Sequence, residues 1–369
     1  MLHPYDDFLL HQTPQPLSHP GSESPNVYDR FFFNGYRADG SVFFAVALGA
    51  YPNRRVMDAA FSVIRGGVQH NVRASRLCPD DRTDTAAGPL RVEIVEPMRR
   101  HRITVDDRHG ISADLTMTAI TPAIEEPRFV HTVGARTFFD YTRLTQFGRW
   151  DGWIEVDGER ITIDASVPVV GTRDRSWGVR PLGEARPGPR SAPQFFWMWA
   201  PTVFDDACTH LAVNHESDGR AWHESGAVVP RLGPGEPTLD PGRVQRGTGA
   251  GFDVRWRPGT RWAEHLTTRL AMWGGDPVEV TYEPFLTFHM VGIGYRHPTW
   301  GHGCWVGVDE STRDQIVLAD VDPLDPLMLH VQALAHARWG DRRGVGVVEQ
   351  LIIGPHEPTG LTGVIDPAR

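Results

Sequence analysis

Lysine is missing altogether: all 37 basic residues of this 369-residue chain are arginine. That excludes a Schiff-base lysine, a pyridoxal phosphate anchor and the phosphate-binding lysine of a P-loop. Cysteine is scarce. Cys78, Cys208 and Cys304 stand far apart without a CxxC pair, which reads as reduced thiols used for packing in a cytoplasmic protein. No apolar run reaches the roughly 18 residues of a membrane-spanning helix, so no transmembrane segment is expected. The opening MLHPYDDFLLHQTPQP lacks a basic region followed by an apolar run, so a signal peptide is not expected either. A net charge of −9 argues against nucleic acid and anionic membrane as partners. Familiar catalytic signatures are absent too. There is no GxSxG elbow and no HExxH. Gly247–Phe252, GTGAGF, fails the third glycine of the dinucleotide fingerprint. No cofactor is expected.

Turn formers are plentiful instead, with 38 glycines and 30 prolines. They suit short strands better than long helices. Hydrophobic residues at 40% and charged residues at 22% describe a soluble globular protein, long enough to bury two cores. Phe31–Phe33 and Val42–Val46 flank Asp39-Gly40, a strong hairpin signal. Phe61–Ile64 turns at Gly66-Gly67 into Val68–Val72, and Trp153–Val156 pairs with Arg160–Ile163 across Asp157-Gly158. After Pro181–Pro193, which has linker composition, Phe195–Trp199 opens a second run of strands, and Leu211–Asn214 turns at Asp218-Gly219. Leu327–Trp339 fits a strand or a helix, and the Asp341–Gly344 turn favours a hairpin. The expectation is an all-β protein of two barrel or sandwich units. Residues 1–184 form the first, with 1–26 as an arm, and residues 185–369 form the second.

Three polar constellations stand out. Gly171–Pro181, GTRDRSWGVRP, holds three arginines, a carboxylate and a tryptophan. In an extended chain Arg173, Arg175 and Trp177 share one face, and Asp174 and Ser176 the other. Such a stretch is either a structural corner, with arginines clamping loop carbonyls and Asp174 and with Trp177 as a plug, or a functional site. The second is Asp140–Gln146, where Asp140, Arg143 and Gln146 recur every third position, followed by Trp150. It reads as a barrel rim or as a substrate contact. In the third, His297–Gly303, glycines flank His302 so that backbone packs closely while the imidazole projects, and Trp300 lies just before it. His289, His297 and His302 could converge on a metal, as histidines on neighbouring strands often do, though their spacing follows no metal rule and no metal is expected.

The RDRSWG and HPTWGHG motifs, following a β-meander, resemble the bacterial branch of the hydroxyneurosporene synthase (carotenoid 1,2-hydratase) superfamily. The resemblance covers about Val27 to Gly303. It implies two lipocalin-like β units packed together around an apolar pocket. It also implies a hydratase of isoprenoid double bonds, or a pericyclase, acting on an isoprenoid, steroid or polyketide-like small molecule.

Hydrating an unactivated alkene requires protonation of carbon, hence a carboxylic acid kept neutral by desolvation and aromatic faces for the cation. The candidate acid is Asp174, and His302 positions or deprotonates water. Trp177, Trp197, Trp199 and Trp300 are candidate substrate walls, with Arg173, Arg175, Asp140, Arg143 and Gln146 as polar contacts. Nearby arginines would lower the pKa of Asp174, so the acid role requires Arg173 and Arg175 to point away. A lipid or polyketide carrier and an isomerase remain as rival readings.

Overall fold

The computed structural model describes residues 20–182 and 193–368. Among them there is no α-helix; strands are joined by tight turns and short 3-10 segments. The expected arm lies mostly, and the expected linker almost wholly, outside these residues. No helix among the described residues is long and apolar enough to cross a membrane. Local sequence accounts for the hairpins. At Asp157-Gly158 both residues have positive φ, 52° and 83°, and the Arg136–Val156 strand turns back directly into Glu159–Ile163. Gly66 and Gly67, at φ 57° and 78°, do the same between Val56–Arg65 and Val68–Leu77.

The chain divides into two compact units. Among the described residues, one comprises residues 20–182 with Pro234–Asp240 and Gly292–Ile316; the other comprises residues 193–233, Pro241–Val291 and 317–368. Two segments from the second half of the sequence thus belong to the first unit.

In the first unit one sheet runs in the order Asp309–Val317, Val68–Leu77, Val56–Arg65, Phe43–Tyr51, Val27–Tyr36, Val169–Val179, Arg136–Val156, Ile111–Ala119, Arg100–Val105, Leu90–Glu96 and Ala86–Ala87. It curls into a nearly closed barrel. Phe31, Phe33, Phe44, Phe61, Leu115 and Trp150 belong to the apolar cluster that fills it. Trp150 meets Phe44 edge-on at 5.1 Å, and its indole N–H donates to the Asn34 carbonyl at 2.9 Å. The strand Val169–Val179, which carries RDRSWG, lies mid-sheet between Val27–Tyr36 and Arg136–Val156.

The second unit is a closed ring of eight strands. Phe195–Trp199 closes it by pairing with both Ala207–His215 and Arg342–Ile353. Alternation directs Phe196 and Met198 into its core. Val331–Trp339 is a strand, antiparallel to Arg342–Ile353, which resolves the ambiguity at that stretch in favour of the hairpin. Gly247–Phe252 lies inside the strand Gln245–Trp256, with no helix after it.

Candidate active site

The two faces of the first sheet differ in chemistry. Opposite the apolar interior, cross-strand pairing sets Asp58, Gly49, Arg30, Ser176 and Arg143 in one row over five neighbouring strands. Directly paired residues share a face and sit about 5 Å apart, so the row is a polar strip interrupted only at Gly49. Gly49 has a reason to be glycine: a Cβ there would lie 2.6 Å from the Tyr51 hydroxyl. Its bare position lets the Tyr51 ring lie across the row, where the hydroxyl donates to Asp58 Oδ1 at 3.3 Å.

Gly292–Ile316 supplies the remaining parts. The Gly303 N–H donates to Asp58 Oδ2 at 2.7 Å. Gly303 has φ 68°, and a Cβ would come within 3.0 Å of the Tyr51 ring, so glycine is what lets the backbone approach. Tyr295 accepts a hydrogen bond from Arg30 Nη1 at 2.8 Å, and its ring lies 4.7 Å from the guanidinium carbon. His302 contacts the Tyr295 ring edge-on at 4.4 Å. Its tautomer follows from its neighbours. Arg180 Nη2, 3.2 Å from Nδ1, can only donate, and the Ile293 carbonyl, 3.0 Å from Nε2, can only accept. His302 is therefore the neutral Nε2–H form, with both ring nitrogens engaged.

Electrostatics single out Asp58. Burial pushes its carboxyl from 3.8 up to about 6, against the pull of the Gly303 N–H, Arg30, the Tyr51 hydroxyl and Arg180. Burial also pushes Tyr28 up to about 12 and raises Tyr51 and Tyr141 well above the usual phenol range. These tyrosines stay protonated, and Tyr51 donates to Asp58.

The candidates read from sequence fall into several places. Asp174 and Ser176 do face away from Arg173 and Arg175, as alternation requires, and Asp174 lies half-buried between Phe32 and Thr145 on the polar face. Arg173, 1% exposed, donates to Gln146 Oε1 at 2.9 Å, while Gln146 donates to the Met98 and Thr121 carbonyls. Arg175 is paired with Asp29, bonds the Arg30 carbonyl at 3.1 Å and lies over Phe31. These contacts hold both arginines through Gln146, Asp29 and a strand carbonyl. Trp177 is half-buried at the same end of the strand, 5.8 Å from Arg175. Arg143 grips the buried Glu126 through two N–H donors at 2.7 and 2.6 Å. Burial works against the Arg143 charge, but Glu126 outweighs it and raises the pKa. Asp140 forms an exposed pair with Arg128. The backbone N–H of Trp300 donates to His297 Nδ1 at 2.9 Å.

In the second unit Trp197 and Trp199 point to the face opposite Phe196 and Met198. The Trp197 indole donates to Glu349 Oε1 at 2.9 Å, where His330 Nε2 also bonds, and the Trp199 indole donates to His210 at 3.1 Å. Burial would raise Glu349, but His330, Gln332 and Trp197 together hold it below its ordinary value. Among the described residues no group of three or more His, Cys, Asp and Glu is placed to hold a metal. A cavity of about 390 Å³ in the first unit lies between Arg76–Pro79, Ala86, Gly88, Val308 and Asp309, and none of the Asp58 cluster lines it.

Asp58, Arg30, Tyr51 and Tyr295 were not singled out from sequence. One signal was available: Asp58 is a lone carboxylate in the otherwise apolar VMDAAF run.

A pair of β-barrel units, the first bearing a buried carboxyl–arginine–tyrosine cluster, makes this a lipocalin-like protein. The chain belongs to the family of unknown function DUF8625, whose profile matches residues 2–362. A search of curated proteins returned no match. Two crystal structures share the fold. One is a candidate AttH from Nitrosomonas europaea, 14% identical, with a TM-score of 0.54 over 92% of this chain and 96% of that one. The other is kievitone hydratase from Nectria haematococca, 12% identical, with a TM-score of 0.52 over 92% of each chain.

Proposed function

We propose that this protein is a hydro-lyase, adding water to or removing it from a carbon–carbon double bond of a hydrophobic small molecule without a cofactor. The observation that carries the reading is the Asp58 carboxyl, buried and raised to about 6, where both protonation states are populated near neutral pH. One such group serves both directions. It takes a proton from water and returns one to carbon in hydration, and reverses the exchange in dehydration. The Asp58 role displaces Asp174 as proton carrier; Asp174, half-buried on the same face, becomes a substrate-orienting carboxylate. His302, with both nitrogens engaged by Arg180 and Ile293, positions Arg180. The fold shared with kievitone hydratase and the resemblance to carotenoid 1,2-hydratases support the same class of reaction.

The test is a panel of isoprenoid, steroid and polyketide-like alkenes and their hydrated forms, followed by mass spectrometry for gain or loss of one water. Turnover by the natural protein, abolished in Asp58→Asn with ligand binding retained, is the expected result. Binding that is saturable but never accompanied by turnover makes the protein a carrier.

A further inference from the structure

The charges around Asp58 favour one sign. Arg30 and Arg180 both act on its carboxyl, while Arg143, further along the row, is matched by Glu126. Arg30 is 2% exposed. Its Nη1 is held by the Tyr295 hydroxyl, which fixes the plane of the guanidinium. Among the described residues, its Nε and Nη2 have no hydrogen-bond partner. Buried donors are almost always satisfied, and leaving two unmet on one cation is costly. Nε and Nη2 together form the side edge of the guanidinium, the fork that takes a planar oxygen acceptor through two parallel N–H bonds. Tyr28, two residues along the same strand face, keeps its proton and adds a donor to the surroundings.

Such surroundings oppose a carbocation, because a positive centre near two guanidinium groups away from water is destabilised. They suit negative charge that develops on oxygen. We propose that the substrate carries a carbonyl conjugated to the double bond, and that the Nε–Nη2 edge of Arg30 receives its oxygen as the enolate forms. This rests on the hydro-lyase reading and narrows it to α,β-unsaturated carbonyl compounds and their β-hydroxy counterparts. In the hydration direction the Asp58 carboxylate accepts a proton from water as the water oxygen bonds to the β-carbon. The π electrons move to the carbonyl oxygen, giving an enolate held by Arg30. Asp58 then returns its proton to the α-carbon and the carbonyl re-forms. One water is added, nothing is oxidised or reduced, and Asp58 ends as it began.

The subsite is tested apart from turnover with 4-nitrophenolate, whose planar oxyanion mimics the enolate, against 4-nitrotoluene, which lacks it. The natural protein should bind the phenolate at least about tenfold more tightly, and Arg30→Gln should bring the two within about threefold. Equal binding by the natural protein, or a preference that survives Arg30→Gln, overturns the proposal. Thermal melting checks that the variant folds. Should it not, Arg30→Lys keeps the charge without the fork, and a preference undiminished in that variant overturns the proposal equally. Phenolate preference without water transfer to any carbonyl substrate keeps the oxyanion subsite and sinks the hydro-lyase reading. Turnover of a bare hydrocarbon alkene with no phenolate preference keeps the hydro-lyase and sinks the subsite.

Discussion

The backbone N–H of Gly303 donates to the carboxyl of Asp58 across 2.7 Å, joining residues 245 apart in the chain. That bond, the Tyr51 hydroxyl and the arginines nearby all pull the Asp58 pKa down, yet burial leaves it at about 6. The position is polar in its partners and dry in its surroundings, and both properties bear on stability and rate.

Stability should depend on pH through Asp58. Its folded pKa is raised, so the folded state binds the proton more tightly than the unfolded one. The contribution is full below 3.8 and is lost as pH rises through about 6. The loss amounts to about 3 kcal/mol. Asp58→Asn keeps an acceptor for Gly303 and removes the buried charge, so the variant should be more stable than the natural protein at pH 8 and little different from it at pH 4, while turnover is abolished. Melting curves at both values check this; a variant less stable than the natural protein at pH 8 contradicts it.

The rate should have its own pH signature. Addition to a conjugated carbonyl starts from the Asp58 carboxylate, so kcat/KM for hydration should rise through about pH 6 and level off above it. Direct protonation of an alkene starts from the acid and would show the opposite limb.

Asp174→Asn should leave melting nearly unchanged and lower turnover without abolishing it. Asp174 is half-buried, on the face away from Arg173 and Arg175, and although its charge also supports the buried Arg143, Glu126 still holds that arginine when Asp174 is neutralised. A loss near the 3–5 kcal/mol typical of a broken buried pair, at about that scale, would make it structural. Paired melting and turnover assays decide between the two.

Glu126 should behave in the contrary way. Its carboxylate is buried and held by two Arg143 donors and the Thr145 hydroxyl at 2.7 Å. Glu126→Gln strands the Arg143 charge and should cost about 3–5 kcal/mol in urea unfolding. A cost within experimental error rejects the pair as a structural element.

The hairpins were legible because each is written in adjacent residues: Asp39-Gly40, Asp157-Gly158 and Asp218-Gly219 all sit between paired strands. The split of Arg173 and Asp174 onto opposite faces was legible too, since alternation is a property of any strand. What each face meets was not. Arg173 finds Gln146, and Arg143 finds Glu126, only once Arg136–Val156 has paired and its neighbouring loops have closed over it. Trp197 and Trp199 looked like pocket walls by composition, but the strand turns them from its core and gives each a polar partner. Asp58 escaped notice for the plainest reason: nothing near it in sequence touches its carboxyl except Tyr51.

Because Gly292–Ile316 belongs to the first unit, the cluster around Asp58 cannot be completed in the order the chain is made. At about 5–20 residues per second of synthesis, the 245 residues between Asp58 and Gly303 correspond to a wait of roughly ten to fifty seconds. For that time the nascent sheet carries Asp58 and Arg30 without Gly303 or Tyr295, and its polar strip is open to water or to a chaperone.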